Sequence, residues 1–150
     1  MKGVEQSMRT QTRTPTPDLS SDDLKRIVQS DAPADAQFMV QSAESLGDAL
    51  NSSGLKSSQI RGIFSSVRII ETGWPVGDNQ STDARRAMRE LILLKAKMAY
   101  QGYRTPEVVP LAKVLTDSID FVGEDRDNFQ RFVDFFEAIL AYHKAAGGKD

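Results

Sequence analysis

Phe129, Phe132, Val133, Phe136, Ile139, Leu140 and His143 recur at three- and four-residue steps, and that recurrence leaves the chain little freedom in its fold. Steps of this size put all of these side chains on one stripe of a helix that turns every 3.6 residues. Gly147-Gly148 stands just beyond, where a helix stops. Aromatic side chains are concentrated here more than anywhere else in the chain, so this last helix is predicted to be the spine of the core.

The rest of the sequence repeats the helical pattern. Ser20-Ser21-Asp22-Asp23 offers capping oxygens to a short helix carrying Leu24, Ile27 and Val28, which Pro33 should break. Asp35 is predicted to cap a second helix with Phe38, Met39, Ala43, Leu46 and Leu50 inward, ended by Asn51-Ser52-Ser53-Gly54. Ser57 or Ser58 starts a third, with Ile60, Ile63, Phe64, Val67 and Ile70 as its apolar side. Thr72 to Ser81 is a Gly/Pro-rich loop holding the only Trp. Ser81 or Thr82 then caps a long helix through Tyr100, closed by Gly102. Its second half, LILLKAKMAY, is apolar nearly all round and predicts a central, buried helix. Thr105-Pro106-Glu107 opens a helix with Val109, Leu111, Val114, Leu115 and Ile119 inward, a start that Pro110 can displace by a turn. Gly123 and the acids from Glu124 to Asp127 lead into the last helix, whose N-terminal dipole suits negative charge. No stretch alternates with period two for long enough to form a sheet. The expectation is all-α: a compact bundle of five or six helices in a single domain over residues 18–150. Residues 1–17, polar and carrying Pro15 and Pro17, are expected to form a flexible N-terminal arm.

Several function classes find no support. No apolar run approaches the roughly 20 residues that span a bilayer, and the N-terminus lacks a signal-peptide core. Cys is absent, which removes disulfides, thiolate metal sites and thiol nucleophiles. The expected setting is the cytoplasm, with no membrane partner. His143 is the only His and lies six residues from Glu137, out of line for a helical acid–base pair. Phosphate-loop and dinucleotide fingerprints are missing, and Asp120 to Asp127 lacks the spacing of a calcium loop. No catalytic residue, metal or cofactor is expected, and His143 reads as a core-edge residue.

Charge is more informative. Lys56 to Arg104 holds nine basic residues against four acidic ones, a net +5, while the remainder of the chain carries −7. A basic middle between acidic ends is a candidate anion-binding surface, or simply the uneven charge of a helical protein. Arg61, Ser65 and Arg68 share one polar stripe of the third helix, and Arg85 and Arg89 form an i, i+4 pair. Lys95 and Lys97 interrupt an otherwise apolar run, either to reach an anion or to snorkel to the surface. Trp74 would either stack on a base or pack back on its own domain.

Three segments in register resemble the small subunit of the type III-A CRISPR–Cas (Csm) interference complex. They are Ser58-Gln59-Ile60-Arg61, then Leu94-Lys95-Ala96-Lys97-Met98-Ala99-Tyr100 with Gly102 and Arg104, and finally Phe132 to Gly148. The resemblance covers about residues 35–148, and departs from the family pattern at Ala96, where Pro is expected. It implies a helical bundle without an active site, stacked head to tail in several copies beside the backbone subunit and within a complex that includes the large subunit. Its cationic face would hold the phosphates of the target RNA along the guide RNA–target duplex. The residues this points to are Arg61 and Arg68 first, then Lys56, Lys95, Lys97 and Arg104, with Lys144 and His143 as outer candidates. Phe132, Phe136, Ile139 and Tyr142 are assigned to packing. The competing reading is a helical protein–protein adaptor that does not touch nucleic acid.

Overall fold

A computed structural model describes residues 15–148; residues 1–14, the greater part of the expected arm, lie outside the described residues. Residues 15–20 have no regular secondary structure. Six α-helices follow: α1 (Ser21–Gln29), α2 (Pro33–Ser52), α3 (Ser57–Gly73), α4 (Thr82–Arg104), α5 (Val109–Ile119) and α6 (Arg126–Ala145). A single 3₁₀ turn, Pro106–Val108, precedes α5. There is no strand among the described residues. The expected all-α bundle is what forms.

The helix ends follow from local chemistry. At α1 the Ser20 hydroxyl accepts from the Asp23 amide (3.1 Å) and the Asp23 carboxylate accepts from the Ser20 amide (3.0 Å), a reciprocal box that satisfies two otherwise orphaned donors. Asp125 accepts from the amides of Asp127 and Asn128 at the start of α6. Gly54 and Gly147, at φ +91° and +101°, take the left-handed backbone that ends α2 and α6. Pro110 does displace the start of α5, since the segment enters as a 3₁₀ turn before the α-helix begins at Val109.

Two boundaries differ from expectation. Asp35 is not a cap: α2 is capped three residues earlier, at Ala32, with Pro33 in the first turn, where a missing N–H costs nothing. The Asp35 carboxylate instead accepts from the Ser30 hydroxyl (2.5 Å) and Arg26 Nε (2.8 Å), tying α1 to α2. Those contacts, the Ser30 hydroxyl foremost and then Arg26, hold its pKa below the ordinary carboxylate value. A depressed native pKa adds stability that is present above the unfolded value and is lost as pH falls through the native one. Asp35→Asn is therefore expected to lower the urea midpoint at neutral pH, with the gap from wild type closing in strong acid. Gly102 likewise does not close α4, which continues to Arg104 with Gly102 buried against Val109.

As predicted, α6 is the spine. It packs on α1, α2, α3 and α5, with Phe129, Phe132, Phe136 and Ile139 fully buried. Phe64 meets Phe136 edge-on with ring centroids 5.1 Å apart, and Trp74 stacks on Phe129 at 5.1 Å. Trp74 is buried and donates Nε1–H to the Asp78 carbonyl (3.0 Å), so it packs back on its own domain. The larger correction concerns α4. It packs on α3 and α5 along one flank, through Leu91, Leu94 and Met98, while Ile92, Leu93, Tyr100 and Tyr103 face outward. Hydropathy alone suggested a central helix, but an apolar exposed face gives the same signal.

Candidate nucleic-acid interface

The antiparallel arrangement of three helices decides which cations can act together. Along α3 and α6 the contacts run from Ser57–His143, through Phe64–Phe136 and Arg68–Glu137, to Trp74–Phe129. The start of α3 therefore lies at the end of α6. On the other flank, Gly62 and Ser66 of α3 line a shallow cleft with Lys97, Met98 and Gln101 of α4. Thr72 and Gly73 lie beside Asp83 and Arg86, near the start of α4. The end of α4 is thus level with the start of α3. One end of the bundle gathers Lys56, Arg61, Arg104 and Lys144, all exposed, from segments up to 88 residues apart.

Each cation in this group is anchored differently. Lys56 is the N-cap residue of α3, and its amide donates to Gln59 Oε1 (3.0 Å). The Arg104 guanidinium lies 5.9 Å from the Tyr100 ring centroid, a cation–π distance. Lys144 Nζ donates to the Gly148 carbonyl (3.3 Å). Neither Lys56 nor Arg104 forms an ion pair among the described residues. Lys97 is exposed above the α3–α4 cleft, about one to two turns further along.

Two of the sequence candidates lie apart from this end. Arg68 sits midway along α3, bonded to Glu71 (2.7 Å) and Glu137 (3.2 Å), with its guanidinium 5.0 Å from the Phe64 ring centroid. The Glu71 hydrogen bond, and then its charge, raise the Arg68 pKa above the ordinary arginine value, so the group stays cationic. Both pairs are exposed to solvent, a setting in which ion pairs are held weakly. Lys95 points to the opposite flank of α4 and pairs with Asp120, just past α5. Arg61 and Arg68 are thus on one flank, Lys97 on a second and Lys95 on a third.

The single histidine is structural. His143 is fully buried, with Nε2 2.6 Å from the Leu55 carbonyl and Nδ1 3.4 Å from the Ser57 hydroxyl. It joins the end of α6 to the turn before α3, and so fixes the end where the cations meet. No cluster of His, Asp or Glu among the described residues could hold a metal ion. Sequence reasoning missed Gly62 and Ser66, which open the cleft beneath Lys97; only the packing of α3 on α4 reveals them. No helix among the described residues is long and apolar enough to cross a membrane.

A family model described as Csm2 Type III-A matches residues 34–149. No curated protein and no solved structure matches the chain.

Proposed function

Because the chain belongs to the Csm2 Type III-A family, as a small subunit of the type III-A CRISPR–Cas complex, we propose that its cationic end binds the phosphate backbone of target RNA in that complex. The reading rests most on the convergence of Lys56, Arg61, Arg104 and Lys144 at one end of three rigid helices. Arg offers a planar fork to phosphate oxygens and Lys a mobile point charge, so both contact the chain of the RNA and leave base edges unread. That suits a subunit in a complex where guide pairing already reads the sequence. Lys97 extends the track along the α3–α4 cleft, and Arg68 joins it by exchanging carboxylate for phosphate. Lys95, paired with Asp120 on another flank, is the weakest member.

In the same reading the subunit is non-catalytic, acts in the cytoplasm, and stacks head to tail beside the backbone subunit through unlike faces. The acidic groups on α5, α6 and the turn between them, against the basic α3–α4 surface, supply complementary charge for that stacking. The test is a reconstituted guide-loaded Csm complex carrying Lys56→Glu/Arg61→Glu. It is expected to assemble normally and bind target RNA at least about tenfold more weakly, as loss of two phosphate contacts implies. Loss of assembly with RNA affinity unchanged in whatever complex remains would support the adaptor reading and reject this one.

A further inference from the structure

Arg68 is held by two carboxylates, and the two holds differ. Glu71 lies one turn further along α3, meets Nη1 at 2.7 Å and has a side chain only 18% exposed. Glu137 reaches across from α6, meets Nη2 at 3.2 Å and is 56% exposed. A short bond between neighbours on one helix is fixed by the backbone that carries both partners. A longer bond between helices, from a carboxylate that stands in water, is the one that opens. The guanidinium also lies over the Phe64 ring, 5.0 Å from its centroid, and that ring meets Phe136 edge-on. Glu71 and Phe64 therefore keep the group in place when Glu137 leaves.

Which donors Glu137 covers decides what its departure would expose. Nε and Nη2 form one edge of a guanidinium, with two parallel N–H donors that match two oxygens of a phosphate. Glu137 occupies Nη2 alone, and Nε makes no hydrogen bond among the described residues. Charge keeps that edge closed to anions. Glu71, Asp134 and Glu137 set three negative charges around one positive, and Asp134 acts on Arg68 through its charge without a bond to it. A phosphate that arrives with Glu137 in place is repelled, whereas one that arrives after Glu137 swings out meets a fork already oriented. We propose that Glu137 is an exchangeable cover on the Nε/Nη2 edge of Arg68, displaced by an RNA phosphate while Glu71 and Phe64 hold the guanidinium. This rests on the phosphate-backbone reading and adds to it a group that weakens the contact. Arg68 always has a partner, so release of the RNA returns it to Glu137 and leaves no bare cation behind.

The test is target-RNA affinity of the guide-loaded Csm complex as a function of salt, with Glu137→Gln, Asp134→Asn and Arg68→Gln chains. Glu137→Gln keeps the shape of the cover and removes its charge. It is expected to bind at least about fivefold more tightly at 0.1 M salt, with a slope of log affinity against log salt steeper by about 0.7, the worth of one added phosphate contact. Asp134→Asn removes the same charge one turn away but frees no donor, so it should change affinity by less than about twofold. Glu137→Gln placed in an Arg68→Gln chain should gain nothing. An equal gain from Asp134→Asn, or a gain that survives Arg68→Gln, makes the effect one of bulk charge and overturns the proposal. So does an unchanged affinity in Glu137→Gln. Lys56→Glu/Arg61→Glu measured alongside separates the two readings. If it weakens binding while Glu137→Gln changes nothing, the cover alone fails; if neither variant changes affinity, the phosphate-backbone reading fails with it.

Discussion

Phe132→Ala is expected to remove about 3–5 kcal/mol of folding free energy, the range for emptying a buried phenylalanine site. Phe132 is fully buried on the spine helix, its ring 6.2 Å from that of Phe129 in a near-parallel stack that continues to Trp74. Neighbours on rigid helices cannot collapse into the space, so transfer and cavity costs add. Against a total of about 5–15 kcal/mol for a domain, the loss is large. Urea unfolding should show a much lower midpoint, and a loss under about 1 kcal/mol would mean that the aromatic stack is not the core. The same chain supplies a comparison at the surface. Phe38 is only half-buried under Arg26 at 4.2 Å, and its truncation should cost much less.

Two glycines in helices should respond to alanine in opposite directions. Alanine in a helix interior is favoured over glycine by roughly 0.5–1 kcal/mol. At Gly62, an added Cβ meets nothing within 4 Å, so Gly62→Ala should stabilise by about that amount. At Gly47, the Cβ would stand 2.7 Å from the His143 amide nitrogen and 2.9 Å from Tyr142 Cβ. The nearest obstacle is backbone, which cannot rotate away, so α2 and α6 must separate. Overpacking of this kind costs about 1–3 kcal/mol and outweighs the propensity gain. The displacement would also disturb the His143–Leu55 hydrogen bond that sets the end of α6 against the start of α3. Thermal unfolding of the two variants tests this; stabilisation by Gly47→Ala would contradict a tight crossing of α2 and α6 at this point.

The spine helix was legible because its period and its glycine stop agree, and Ser20-Ser21-Asp22-Asp23 announced its helix by capping chemistry. The role of α4 was not. Its LILLKAKMAY run has the hydropathy of a buried helix, yet Ile92, Leu93 and Tyr100 are outward, since hydropathy does not record whether an apolar face is covered within the chain or by another one. Asp35 illustrates a second limit: a good capping residue beside a proline lost to the proline, and its carboxylate bonded across helices instead. For the candidate interface, the cationic residue types and the basic middle of the chain were readable. Which cations share a surface was not, because Lys144 meets Lys56 only through the antiparallel pairing of α6 with α3, and Glu137 reaches Arg68 the same way. The family resemblance over about residues 35–148 agrees with the match over 34–149.

The most direct test of the phosphate-backbone reading is the salt dependence of target-RNA affinity, measured on guide-loaded Csm complexes with wild-type chain and with Lys56→Gln/Arg61→Gln/Arg104→Gln. Each phosphate contact contributes about 0.7–0.9 to the slope of log affinity against log salt. The triple variant should assemble, bind more weakly at low salt, and show a slope shallower by about 2. An unchanged slope and affinity in a fully assembled complex would contradict a phosphate-binding role for this end of the bundle.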